Sequence, residues 1–200
     1  MKKWLLPILI IGGLVLLLGT WYVNTNNSLV EMKGQATKQW ANVESSYQRR
    51  SDLIGNLVKT VQGAADFERG TLTDVIEARA KATAITIDPS NITPAQLEQF
   101  NQAQSGLSGA LSKLLVSVER YPELKANQNF LELQSQLEGT ENRINVERNR
   151  FNDLAGEYNI KIAKIPTNII ASIANFDPLA LFSSKAGAED APDVNFEFSN

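Results

Sequence analysis

Between Lys3 and Glu31 the chain carries no charged side chain, and within that gap residues 4–23 read WLLPILIIGGLVLLLGTWYV. In hydrocarbon, every backbone N–H and C=O of such a run has to be satisfied inside the segment, and a single helix does this. About 20 residues at roughly 1.5 Å each match the ~30 Å hydrocarbon core. Trp4 at one end and Trp21–Tyr22 at the other suit the interfacial aromatic belt. Pro7 falls in the first turn, where a missing donor does least harm. The competing assignment is a cleaved signal peptide. The stretch after Leu18, Gly-Thr-Trp-Tyr-Val-Asn, lacks a small-x-small cleavage site, so a retained anchor is expected. Lys2 and Lys3 precede the run, and no basic residue follows it until Lys33. The positive-inside rule then puts residues 1–3 in the cytoplasm and the rest of the chain across the membrane.

The anchor has no clear stop. Asn24-Thr25-Asn26-Asn27-Ser28 is a poor helix-forming run, yet neither Gly nor Pro lies between Gly19 and Gly34. The sequence favours a helix running straight from the span into the following domain, with a short hinge as the alternative. Ser28-x-x-Glu31 has capping-box spacing and speaks for a fresh helix start.

Beyond the anchor the apolar residues recur at 3-4 spacing. One segment carries two rows: Leu29, Ala36, Val43, Arg50 and Leu57, and Trp40, Tyr47, Ile54 and Val61. A second runs Leu97, Phe100, Gln104, Leu107, Leu111, Leu114, Val118, Tyr121. A third runs Phe130, Leu133, Leu137, Thr140, Ile144, Glu147, Phe151, Leu154, Tyr158, and a shorter stripe is Leu72, Val75, Ile76, Arg79. Each set lies on one face of a helix and needs a partner to bury it. Asp88-Pro89-Ser90-Asn91 reads as a loop, and Thr93-Pro94-x-Gln96 as a helix start. Tyr121-Pro122 and Ile165-Pro166 read as helix ends. The prediction is an all-α protein: an N-terminal transmembrane helix over 4–23, then an antiparallel bundle of about four long helices over 24–165. The bundle helices are placed near 28–64, 66–86, 94–120 and 127–164.

Four polar residues interrupt these stripes: Arg50, Gln104, Thr140 and Glu147. An unpaired charge in a bundle core costs several kcal/mol, so these groups should meet one another or sit at the stripe's edge. Arg50 with Glu147, on the two longest helices, is the natural pairing. Such residues fix helix register more often than they catalyse. The chain has neither Cys nor His, which excludes disulfides, thiolate chemistry, Cys/His zinc sites and His-based acid/base catalysis. Phosphate-loop, dinucleotide and nucleophile-elbow motifs are missing as well. No enzyme activity, cofactor, metal or small-molecule substrate is expected. The net charge of −3 is matched by the tail over 183–200, where Lys185 stands against Glu189, Asp190, Asp193 and Glu197. With no basic stripe, nucleic acid is not an expected partner.

Two blocks carry a family resemblance: RRSDLIGNLVKTVQGAADFERGTLTDVIEARA at 49–80 and YPELKANQNFLELQSQLEGTENRINVERNRFNDLAGEYN at 121–159. With the anchor, Asn27-Ser28-Leu29-Val30 and the terminal APDVNFEF, they resemble the LemA family of bacterial proteins over essentially the whole chain. The resemblance implies a bacterial single-pass membrane protein with a helical-bundle domain, and it carries over no catalytic residue. Together with the orientation expected from Lys2 and Lys3, the expected place is the inner membrane with the bundle on the periplasmic side. Some relatives occur beside membrane metalloproteases or in organelle-forming membrane systems, which suggests assembly or scaffolding. Departures are minor: Gly55 stands where many relatives have Pro, and Phe151 where Tyr is common.

The matched positions concentrate Arg49, Arg50, Asp52, Asn56, Glu68, Arg79, Glu141, Asn142, Arg143, Arg150 and Asn152, with Glu147 among them on the third stripe. At 3-4 spacing they form either an inter-helix polar network or a subunit contact. After Pro166, an apolar hook over 166–182 packs on the bundle, touches the bilayer or docks on a neighbour. Val194, Phe196 and Phe198 alternate with polar residues in the acidic tail, a period-2 pattern suited to a short docking strand. The expected role is a self-associating, membrane-anchored scaffold with lipid and another copy of itself as partners. The alternative is a regulatory adaptor or sensor that presents clients to a membrane protease, such as a metalloprotease, or to a signalling partner.

Overall fold

The apolar run that has to be helical in lipid and the first heptad stripe share one rod. Helix α1 spans Leu5–Gln62, 58 residues, or roughly 87 Å. A computed structural model describes residues 5–63 and 67–183. Trp4 and the tail residues Val194, Phe196 and Phe198 lie outside the described residues. Residues 7–24 of α1 are exposed throughout, and Leu29 is its first fully buried side chain. Among the described residues, this is the one helix long and apolar enough to cross a membrane.

The helix runs through Asn24–Asn27 without a break. Each Asn costs about 0.5 kcal/mol relative to Ala in a helix interior, but restarting would require a second, costly nucleus. Propagation between two well-formed flanks wins. Ser28 therefore starts no helix and makes no cap, contrary to its capping-box spacing. Glu31 instead accepts from Gln35 one turn on, at 3.4 Å.

The remaining helices are α2 Arg69–Ala84, α3 Pro94–Val118, α4 Pro122–Lys125, α5 Gln128–Ala163 and α6 Thr167–Ile173. Helices α2, α3 and α5 match the expected ones to within a few residues; α1 ends close to the expected 64 but begins in the apolar run, and the short α4 and α6 were not predicted. Thr93 opens α3 with a complete capping box to Gln96 and Pro at the first helical position. Asn127 opens α5 by accepting from the backbone N–H groups of Asn129 and Phe130 at 3.0 and 3.2 Å.

Helix α5 packs along α1, and α2 and α3 pair as a hairpin beside them. Gln39 meets Glu147 while Arg50 meets Glu141, so α1 and α5 are antiparallel. The heptad rows of α1 are buried from Leu29 to Val61, and so are most of the α3 and α5 stripes. Ile76 is an exception: it is 46% exposed, so the α2 stripe is narrower than predicted.

Helix α6 packs on both α5 and α1. It ends in a Schellman turn: Asn175 adopts φ 56°, and the Phe176 N–H donates to Ala171 O at 2.9 Å. The chain then runs back along α5 as an extended strap over 176–183, burying Leu179 and Phe182 in the bundle. The two described parts of the expected hook thus both lie against the bundle.

Candidate functional site

All four long helices meet at one polar level. Arg50 projects from α1 into the core with 5% exposure. Its guanidinium reaches Glu141 on α5 at 2.8 Å and Ser108 on α3 at 3.3 Å, and donates to Gln104 on α3. Gln104 in turn donates to the backbone O of Ala82 on α2 at 3.4 Å. Thr140 turns inward beside Glu141 and satisfies its hydroxyl on Gln136 O at 2.7 Å. The Glu141 side chain is 51% exposed, so only the cation is taken from water and the carboxylate keeps much of its hydration. That asymmetry makes the pair cheaper than a fully buried one. The Arg50 guanidinium also lies 5.0 Å from the Tyr47 ring centre. Burial raises the Tyr47 hydroxyl above its ordinary value even though the Arg148 and Arg50 cations oppose it.

Glu147 belongs elsewhere, which corrects the expected Arg50–Glu147 pair. It accepts from Gln39 at 2.7 Å and lies 3.4 Å from Arg150 and 3.9 Å from Arg143 on its own helix. Six residues of α5 separate Glu147 from Glu141, roughly 9 Å along the axis. The antiparallel register brings residue 141 rather than 147 opposite Arg50. Gln39, which sequence reasoning passed over, is further held by Asn42 at 3.0 Å.

The other matched positions divide among separate places. Arg79 donates to Ser51 O at 2.8 Å and Ser51 Oγ at 3.0 Å, and lies 3.6 Å from Asp52. A side chain added at Gly55 would meet this guanidinium at 3.3 Å, so the glycine gives Arg79 its bed on α1. Glu68 pairs with Arg120 at 3.2 Å across the exposed distal end. The side chains of Arg49, Asn56 and Asn142 are exposed and make no hydrogen bond or ion pair among the described residues. Trp21 and Tyr22 are 38% and 39% exposed on α1, just before the bundle begins. The candidate residues therefore form no single site.

A second arrangement holds the strap. Asn152 and Asn159 stand one heptad apart on α5, and each uses both ends of its amide on one strap residue. Asn159 accepts from Leu179 N at 2.9 Å and donates to Leu179 O at 2.8 Å. Asn152 does the same to Phe182, at 2.8 Å both ways. These pairs copy what a neighbouring β-strand would offer the backbone. Ala180 N adds a bond to Ile92 O at 2.9 Å. The Tyr158 hydroxyl donates to Asp177 O at 2.9 Å, and burial, with the nearby Asp177 charge, pushes it up to about 12. Phe182 stacks on Trp40 with ring centres 5.6 Å apart, and the Arg148 guanidinium lies 4.3 Å from the Phe182 ring. Asn159 escaped sequence reasoning, although its heptad spacing from Asn152, each directly after a buried aromatic, was the available signal.

These features offer packing and polar recognition surfaces, with no paired nucleophile and base among the described residues. Comparison with known proteins finds relatives over most of this chain. The 185-residue alignment to magnetosome protein MamQ 2 of Paramagnetospirillum magneticum is 28% identical and covers 83% of this chain and 67% of that protein. Magnetosome protein MamQ of Magnetospirillum gryphiswaldense is 27% identical over the same shares. Protein LemA of Metamycoplasma hominis is 25% identical, covering 82% of this chain and 71% of that one. The model of the LemA family matches residues 39–196, from the middle of α1 through the bundle and strap into the tail. With a match of that extent, the chain belongs to the LemA family.

Proposed function

We propose that this protein is a non-enzymatic, membrane-anchored scaffold that associates with further copies of itself in the bacterial inner membrane, its bundle on the periplasmic side. The unbroken α1 carries this reading. A helix without a joint holds the bundle at one attitude to the bilayer, so neighbouring bundles meet through the same faces each time. Relatives named as magnetosome proteins favour an architectural role over a catalytic one. The test is the mass of the full chain in detergent and in nanodiscs, measured by light scattering. A uniform assembly of several copies is expected; a monomer at every concentration refutes self-association.

A second reading, an adaptor presenting clients to a membrane protein such as a metalloprotease, is favoured by one observation. Arg49 and Asn56 line a shallow polar cleft with Ser45, Gln48, Asp52 and Gln136, open to a partner. Whole-cell cross-linking from position 49 distinguishes the two. Cross-links to this same chain support the scaffold, and a single dominant protease partner supports the adaptor.

A further inference from the structure

Helix α6 is apolar on two sides, with Asn168 and Ser172 on the third. Thr167, Ile170 and Ala171 face the bundle and are buried, whereas Ile169 and Ile173, one turn apart, are 57% and 66% exposed. Ile165, in the turn just before, is 84% exposed. Ten large hydrophobic residues beyond position 23 are exposed among the described residues, and three of them fall within 165–173. The rest are spread over several helices and the strap, as isolated exposed hydrophobics on soluble surfaces usually are. A helix apolar on both sides belongs in a core or against lipid.

The position of this face decides between occupants. The contacts Gln39–Glu147, Trp40–Phe151 and Arg50–Glu141 fix the α1/α5 register. Continued to the end of α5, these contacts bring Ile165 level with residues 21–26 of α1, of which Thr25 and Asn26 are partly covered. That stretch straddles Val23, where the apolar run ends. Lys161 and Lys164 flank the turn and make no ion pair among the described residues.

We propose that the outer face of α6 is a foot on the bilayer, with Ile165, Ile169 and Ile173 seated at the boundary of headgroups and acyl chains. This rests on the reading of α1 as a membrane span. The two lysines reach the phosphates above the isoleucines, as basic residues do beside interfacial apolar faces. The seat fixes the bundle at a second point besides the span, which restrains its rotation about α1.

The chain has no cysteine, so single labelling sites are clean. The full chain in phosphatidylcholine vesicles is labelled with an environment-sensitive fluorophore at Ile169→Cys, Val116→Cys or Leu14→Cys. Each is titrated with lipid bearing a quencher at a shallow or a deep acyl position. Expected is at least about twofold quenching at 169 by the shallow quencher, deep quenching at 14, and almost none at 116 on the distal end of α3. Quenching at 14 without quenching at 169 overturns the foot while leaving the span intact. Absence of quenching at both overturns the span reading and the foot with it. Protection of 169 from aqueous iodide that lipid quenchers do not explain, and that vanishes on dilution in lipid, assigns the face to a second copy and rejects the foot.

Discussion

The bundle has two cores of different make, divided at the level of Arg50. The half nearer the apolar end of α1 is aromatic: Trp40, Tyr47, Phe100, Phe151, Tyr158 and Phe182 converge there, with Leu29, Ile92 and Leu179. The half beyond Arg50 is mostly aliphatic, built on Ile54, Leu57, Val61, Val75, Leu107, Leu114 and Leu137. The second is closed by neighbouring stretches of paired helices. The first is closed by the strap, which brings Phe182 onto Trp40 from the far end of the chain. The aromatic half thus depends on a segment that the aliphatic half does without. The difference teaches that one bundle contains a core closed by its helices alone and a core sealed by a latch.

The sharpest break of this contrast is Trp40→Ala. It should cost about 3–5 kcal/mol by chemical denaturation of the full chain in detergent, with amide exchange rising around Ile144–Ile162 before it rises around Leu107–Val118. Equal acceleration in both halves would show that they are one cooperative unit. Next is Asn159→Ala, which strands the N–H and C=O of Leu179 and should cost about 1–3 kcal/mol. Its effect should be confined to the strap and the aromatic half, and proteolysis after residue 176 reads it directly. Arg50→Met tests the divide itself. Because Glu141 is half in water, no buried charge is orphaned, and the cost should be only about 1 kcal/mol. The two halves should then exchange more independently; a loss of several kcal/mol would mean that Arg50 holds them up rather than registers them.

The last effect is confined to alkali and is absent at neutral pH. The Tyr158 hydroxyl titrates near 10 when unfolded and is pushed up to about 12 in the fold. The folded state therefore holds its proton more tightly than the unfolded state. Stability is unaffected by this group below pH 10 and falls as pH rises from 10 towards 12. Tyr158→Phe should flatten that part of the stability profile, after a constant loss from the missing bond to Asp177.

What could be read from the residues was whatever repeats along one helix. Leu29, Trp40, Ile54 and Leu57 announced their burial by spacing, and Arg50, Gln104, Thr140 and Glu147 announced theirs by interrupting it. Membership of the LemA family was legible in the two long blocks for the same reason, since the match runs along the chain. Partner choice was not. Whether Arg50 meets Glu141 or Glu147 turns on sliding α5 along α1 by less than two turns, which periodicity cannot resolve. Ile76 obeys the period and is still exposed, because the width of a stripe depends on how many neighbours a helix has. The hook over 166–182 was legible as an apolar segment, but the grip on it was not: Leu179 and Phe182 are held through their backbones, by side chains some 20 to 30 residues away.

That mode of holding has a consequence for how the chain can change. Asn152 and Asn159 grip peptide groups, so they test whether a segment is extended and correctly phased, and they are blind to most of its spelling. Proline is the one residue such a grip rejects, since it has no N–H to give at 179 or 182. At 178 it is admitted, and there it biases Asp177 towards the extended form the grip requires. Between the two grips, Ala180 adds its N–H bond to Ile92 O, while Leu181 makes no hydrogen bond among the described residues and is 43% exposed. The outward face of the latch is thereby free to vary, while the fold it closes stays the same.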